Sequence, residues 1–370
     1  MNRIRGLDGL RGFAAISVVL THYGLYLSHP RATLGGIFHA GAGLPLFFVL
    51  SGFLITLLLV REQQEFRRVD LKLFYLRRAF RIFPVYIVFL LLVSAIDWFV
   101  QPVATRWSLL LGWTYLYNFV PVGHYNGLQG HTWSLAVEEH FYLIWPALFA
   151  WCYPRRRNTL MIACVFGIAI SALLRPLLNG QPSLHNGFFP MRWTVVAGGD
   201  IAMGCLAALV LMHGPPRAVT FLGSLFALLA SVALWMGVPF SDYMRLLPLS
   251  FVWAVYLART LGFALLLIWI YLNQGGWLTR VLEFPPFRYV GIVSYGLYVY
   301  QGFFLSSGPG RTAGEKWPPD PTAGLVLLCL VVPLSYHAFE ERLTRFARRY
   351  RQATGPTDAG ASGQLLRLAR

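Results

Sequence analysis

Gly41-Ala42-Gly43-Leu44-Pro45-Leu46-Phe47-Phe48-Val49-Leu50-Ser51-Gly52-Phe53-Leu54-Ile55-Thr56-Leu57-Leu58-Leu59-Val60 carries no charge over the length a helix needs to cross a lipid bilayer. A surface helix of a soluble protein keeps one polar face, whereas this stretch is apolar all round apart from the hydroxyls of Ser51 and Thr56. The rest of the chain agrees that lipid is the solvent. Of 370 residues, 56% are hydrophobic and 12% charged, with a mean hydropathy of +0.56. Soluble domains carry about 25% charged residues. Similar apolar blocks recur at 10–28, 84–101, 132–153, 159–178, 193–212, 219–237, 250–272, 288–306 and 323–341. With 41–60 they predict an all-α, polytopic membrane protein of about ten transmembrane helices.

The segment 107–122 is apolar and aromatic but short, and it runs into Pro121 and Gly123. Counting it as a span would push Arg155, Arg156 and Arg157 outside, against the positive-inside rule. We therefore read 102–131 as an outer loop, with re-entrance left open. Both termini are then cytoplasmic. Outside fall Arg31, Arg106, Arg175, Arg192, Arg245, Arg311 and Lys316, Arg259 lies within a span, and the remaining basic residues lie inside. Residues 1–345 form one membrane domain, and 346–370 a basic cytoplasmic tail without sustained periodicity. The expected location is the inner (cytoplasmic) membrane.

The net charge of +16, from 31 Lys plus Arg against 15 Asp plus Glu, would suggest nucleic acid in a soluble protein. Here the basic residues sit in short segments between apolar blocks, so the charge reads as topology and no nucleic-acid partner is expected. Cys152, Cys164, Cys205 and Cys329 lie inside apolar blocks without metal-ligand spacing and read as buried packing residues, so no metal site is expected. Arg3, Arg5 and Arg11 before an apolar run resemble a leader, but no clean cleavage site follows and the run holds His22. It reads as the first membrane helix.

Ionisable side chains in membrane helices are costly and mark candidate sites. Arg11 and His22 are eleven residues apart, so they project from one helix face roughly 16 Å apart along the axis. Plain interhelical packing is the alternative for His22. In Tyr75-Leu76-Arg77-Arg78-Ala79-Phe80-Arg81-Ile82-Phe83-Pro84, Arg77 and Arg81 are one turn apart and suit a phosphate held between two guanidiniums, with Arg78 beside them. A purely topological basic loop is the alternative. In His131-Thr132-Trp133-Ser134-Leu135-Ala136-Val137-Glu138-Glu139-His140-Phe141-Tyr142-Leu143-Ile144-Trp145-Pro146, helical spacing aligns Ser134, Glu138, Tyr142 and Trp145. Asp200 and Arg259 are expected to neutralise each other. Ser294, Tyr298 and Gln301 share a further face, for which an aromatic packing stripe is the alternative.

The run Leu7-Asp8-Gly9-Leu10-Arg11-Gly12 followed by His22 resembles the opening motif of the acyltransferase-3 family of membrane acyltransferases. So do Phe47-Phe48-Val49-Leu50-Ser51-Gly52-Phe53, the arginine pair before Pro84, Trp133-Ser134-Leu135 with Glu138 and Tyr142, and Ser294-Tyr295 with Tyr298. The motifs run in order over roughly residues 5 to 345, and together they are specific where each alone is weak. The resemblance implies transfer of an acyl group, often acetyl, from cytoplasmic acyl-CoA to a hydroxyl of a saccharide or related acceptor. It maps the family's first-helix residues onto Arg11 and His22 and its cytoplasmic pair onto Arg77 and Arg81. Many members have a histidine where this chain has Gln301, so a proton-carrying role is not expected there.

The residues read alone agree with that chemistry. A neutral imidazole at His22 can take the proton of an attacking hydroxyl, with Arg11 and Glu138 in the catalytic group. Basic groups at the cytoplasmic mouth can hold CoA as a donor substrate, no cofactor being permanently bound. Trp133, Ser134, Tyr142 and Tyr298 are the substrate-binding candidates, and membrane lipid is the surrounding partner. A transporter or flippase of a saccharide-linked lipid would also need intramembrane charges and aromatic faces, although the chain lacks the two similar halves common in transporters. A non-catalytic membrane scaffold is the third class.

Overall fold

A computed structural model of the chain describes residues 3–26, 40–102, 105–179, 187–236, 249–307 and 316–345. The expected tail, residues 27, 28 and 237 of the expected spans, and Arg31, Arg245 and Arg311 lie outside the described residues. Among the described residues the protein is helical without strands, and Pro121 and Phe188 form an isolated bridge. The helices are α1 (Leu7–Tyr26), α2 (Ala40–Phe66), α3 (Leu71–Phe99), α4 (Arg106–Trp113), α5 (Thr132–Asn179), α6 (Thr194–His213), α7 (Pro216–Leu222), α8 (Leu225–Met236), α9 (Leu249–Leu272), α10 (Trp277–Leu282), α11 (Pro285–Ile292), α12 (Ser294–Leu305) and α13 (Pro321–Ser335).

Six described stretches are long and apolar enough to cross a membrane: Gly43–Phe66, Leu71–Phe99, Arg155–Leu178, Pro190–His213, Trp253–Leu272 and Pro321–Arg345. They coincide with the segments expected around 41–60, 84–101, 159–178, 193–212, 250–272 and 323–341. The other expected spans differ for two physical reasons. Segment 219–237 is divided between α7 and α8, and 288–306 between α11 and α12, where Val293 leaves helical geometry and the Ser294 hydroxyl donates to the Gly291 carbonyl at 2.8 Å. By contrast, α1 and the first half of α5 are long but carry Asp8, Arg11 and His22, and Glu138, Glu139 and His140, which dilute their hydropathy.

Two boundaries correct the reading of the sequence. Helix α3 begins at Leu71, capped by the Asp70 side chain accepting from the Leu73 N–H at 2.9 Å, and runs through Pro84. Proline removes one backbone hydrogen bond, a loss membrane helices tolerate. Arg77, Arg78 and Arg81 therefore sit on the helix itself, not before its entry. Segments 132–153 and 159–178 form one helical run with a break at Arg156 (φ −139°, ψ 49°). The segment around 107–122, by contrast, is no continuous span, as expected: it holds the eight-residue α4 and two short 3-10 turns, Tyr117–Phe119 and Val122–His124.

The bundle is held by close helix crossings. Helices α2 and α6 pack along each other, and the crossing is so tight that a Cβ on Gly52 would strike the Ile201 carbonyl and one on Gly204 the Val49 carbonyl. Small residues at such crossings are how membrane helices gain dispersion contacts without a hydrophobic driving force. Helix α1 packs on α2, α11 and α12. On α5, Ile162, Phe166, Leu173 and Leu177 are exposed on one face at helical spacing, as lipid contact requires. Cys152, Cys164 and Cys205 are buried as expected, but Cys329 is exposed on the outer side of α13.

Candidate functional site

The structure brings most of the singled-out residues to a group of neighbouring cavities that share lining residues. The central one, about 180 Å³, is lined by Arg11 of α1, Ser51 of α2, Arg78 and Arg81 of α3, Ser134, Glu138, Glu139 and Tyr142 of α5, and Tyr295 and Tyr298 of α12. The helical spacing of Ser134, Glu138 and Tyr142 delivers all three to this space. Trp145, expected on the same face, instead donates its indole N–H to Thr56 Oγ1 at 2.9 Å.

Glu138 organises the centre. It accepts from Ser51 Oγ at 3.1 Å and from the Tyr142 hydroxyl at 2.7 Å, and the Tyr142 hydroxyl also lies 2.9 Å from Ser51 Oγ. The Arg78 guanidinium stacks on the Tyr142 ring with its carbon 3.0 Å from the centroid. Arg11 and Arg78 are within electrostatic reach of Glu138, and Arg11, Arg78 and Arg81 act on one another. Three guanidiniums in a low-dielectric space repel strongly, and Glu138 supplies compensating charge. The centre is therefore electropositive and open to an anion.

The expected clamp divides. Arg81 lines the central cavity and two further spaces: a vestibule of about 470 Å³ with Arg3, Asp8, Arg288 and Glu340, and a groove of about 640 Å³ with Glu62, Arg77 and Arg78. Arg77 stays in the groove, 3.8 Å from Glu62, and does not reach the centre. Arg78, which the spacing argument ranked behind Arg77, is the residue that joins Arg81 there.

On the other side lies a cavity of about 130 Å³ containing His22, His131, Trp133, Tyr125, Arg192 and Tyr298. Leu44 and Tyr298 line both this space and the central one, so they form the partition between them. The Tyr298 hydroxyl is 2.5 Å from Ser134 Oγ. His22 and Glu138, both catalytic candidates, thus occupy different cavities. His22 Nδ1 lies 3.0 Å from Gln301 Oε1. With the amide oxygen turned toward the ring, Nδ1 is the donor of this contact, and the matching neutral tautomer has its lone pair on Nε2.

Sequence reasoning missed three contributors. Gln301, for which no proton-carrying role is expected, faces His22 Nδ1 with its amide oxygen. His131, quoted only as the start of a motif, is buried with Nε2 2.8 Å from the Val299 carbonyl. Arg192 had been read as an outer-loop charge. Asp200 pairs with Arg175 at 3.5 Å rather than exclusively with Arg259, although Arg259 feels the same carboxylate and both arginines lie over the Tyr256 ring.

Comparison with known proteins adds the following. The profile described as "Acyltransferase domain" matches residues 4–339. Peptidoglycan O-acetyltransferase OatA of Listeria monocytogenes is 26% identical over 321 residues, covering 80% of this chain and 48% of that protein. A putative peptidoglycan O-acetyltransferase, YrhL, of Bacillus subtilis is 26% identical over 366 residues, covering 91% and 54%. A putative O-acetyltransferase of Staphylococcus aureus is 25% identical over 331 residues, covering 83% and 51%. The chain thus spans about half the length of these relatives. No solved structure matches it.

Proposed function

The chain belongs to the family of membrane acyltransferases described by that domain, and from this premise we propose that it moves an acetyl group from cytoplasmic acyl-CoA to a saccharide hydroxyl. Acyltransferase activity and a multi-pass membrane setting come with the family. The donor, the acceptor, the ten-span topology with both termini inside, and the inner-membrane location are our reading. The observation that carries it is the adjacency of two unlike spaces. An arginine-lined centre adjoins, across Leu44 and Tyr298, a cavity lined by His22, whose Nδ1 faces Gln301 Oε1.

In this account the vestibule and centre, with Arg81, Arg78 and Arg11, take the phosphates and arm of CoA. The thioester is presented at the partition. The acceptor hydroxyl enters the far cavity and gives its proton to His22 Nε2 as its oxygen attacks the thioester carbonyl. The C–S bond then breaks, the CoA thiolate leaves, and the histidine proton is returned to it. Gln301 holds the tautomer, and Glu138 keeps the arginines together without touching the reacting atoms.

The test is purified protein in lipid nanodiscs with labelled acetyl-CoA and saccharide acceptors, free and lipid-linked. One CoA released per acetyl ester formed is expected. Movement of a lipid-linked saccharide across the bilayer with no ester formed would replace this reading with a flippase.

A further inference from the structure

Arg192 differs from the other arginines around the cavities in what surrounds it. Arg77 faces Glu62, Arg3 faces Glu283 and Asp8, and Arg175 faces Asp200. Arg11 and Arg78 have Glu138 within reach. Arg192 meets rings: its guanidinium carbon lies 4.1 Å from the Phe189 centroid, 5.0 Å from Tyr125 and 5.8 Å from Trp133. Among the described residues its buried Nη1 has no hydrogen-bond partner, and no carboxylate lines the cavity it shares with His22.

These facts have one chemical sense. Cation–π contacts engage the faces of a guanidinium and leave its N–H bonds, which lie in the plane, free for an oxyanion. A buried N–H without a partner costs stability until something accepts from it. Trp133 and Tyr125 in the same cavity offer flat apolar surfaces of the kind on which the C–H faces of a sugar ring rest. His22 lies on the same cavity wall and within electrostatic reach of Arg192.

We infer that Arg192 is an anion-recognition residue, and that the acceptor is an acidic saccharide bearing a carboxylate or phosphate near the hydroxyl that is acylated. The inference rests on the acyl-transfer reading for the word acceptor, but the anion site itself is tested without acetyl-CoA. The anion fixes the sugar in the cavity, and the aromatic cage keeps the guanidinium extended to meet it. A neutral sugar of the same shape loses a charge-assisted bond and leaves Nη1 unpaired.

The experiment measures equilibrium binding of three probes to the nanodisc-embedded protein: N-acetylmuramic acid, N-acetylglucosamine 1-phosphate and neutral N-acetylglucosamine. At least one anionic probe should bind about ten-fold to a hundred-fold tighter than the neutral one, the worth of one charge-assisted hydrogen bond. The stronger of the two anionic probes identifies the anion as carboxylate or phosphate. Arg192→Gln should bring the ratio of anionic to neutral affinity close to one, and Arg192→Lys should retain part of it, since lysine keeps the charge but not the planar fork. Equal binding of all three probes by the unaltered protein would overturn the inference, as would a preference that survives Arg192→Gln. Should the glutamine variant fail to fold, the unaltered ratio and the lysine variant decide. Anion preference without acetyl transfer would leave this site standing and remove the acyl-transfer reading instead.

Discussion

His22 Nδ1 and Gln301 Oε1 face each other at 3.0 Å across α1 and α12, and this contact determines which imidazole nitrogen is available. With the amide oxygen facing the ring the histidine donates from Nδ1, and in the proposed mechanism Nε2 is the base.

Gln301→Leu should lower turnover by about ten-fold to a hundred-fold, the cost of about 1.5–3 kcal/mol for an unsatisfied buried partner, with little change in the apparent KM for acetyl-CoA. Gln301→Glu, which still accepts at the same position, should recover much of the loss. Steady-state kinetics of both variants against the donor check this. Equal loss in both would assign Gln301 to packing.

Arg81→Gln should raise the acetyl-CoA requirement about ten-fold to a hundred-fold while the acceptor requirement stays put, because one charge-assisted contact to phosphate is lost. Arg77→Gln should do less, since its guanidinium faces Glu62 in the side groove. Titrating each variant with acetyl-CoA and dephospho-acetyl-CoA reads the difference. A larger effect from Arg77 would restore the symmetrical clamp of Arg77 with Arg81.

Gly204→Leu should abolish accumulation of folded protein, because a side chain there collides with the Val49 backbone and forces α2 and α6 apart. Gly123→Ala, where an added Cβ meets nothing within 4 Å, should leave the melting temperature unchanged. Fluorescence-detected size exclusion with a thermal ramp compares the two. A tolerated Gly204→Leu would contradict the crossing.

In a background lacking the four native cysteines, Gly123→Cys should react with an impermeant thiol reagent from outside intact cells, and Arg156→Cys only after permeabilisation. The positive-inside rule sets this expectation. Outside labelling at 156 would invert or renumber the spans.

Much of this was legible in the residues. Arg11 and His22 announce themselves as charges in an apolar helix, and the spacing of Ser134, Glu138 and Tyr142 predicts a shared face that the central cavity receives. What escaped depends on contacts distant in sequence. Proline usually marks a helix boundary, so Pro84 hid the first half of α3, where packing and the Asp70 cap carry the helix through. The break at Val293 lies inside an uninterrupted apolar run and leaves no mark on periodicity. Asp200 could pair with any buried cation, and only the fold places Arg175 beside it. Arg192 looked like a loop charge because its rings come from three separate stretches, at Tyr125, Trp133 and Phe189.

The central claim is that His22 is the base for transfer from acetyl-CoA, and it is most directly tested by ester formation in matched preparations of the unaltered protein and His22→Ala. His22→Ala is expected to fold and to bind acetyl-CoA with unchanged affinity, but to form ester about 10² to 10⁴ times more slowly. Near-normal ester formation by well-folded His22→Ala would contradict it.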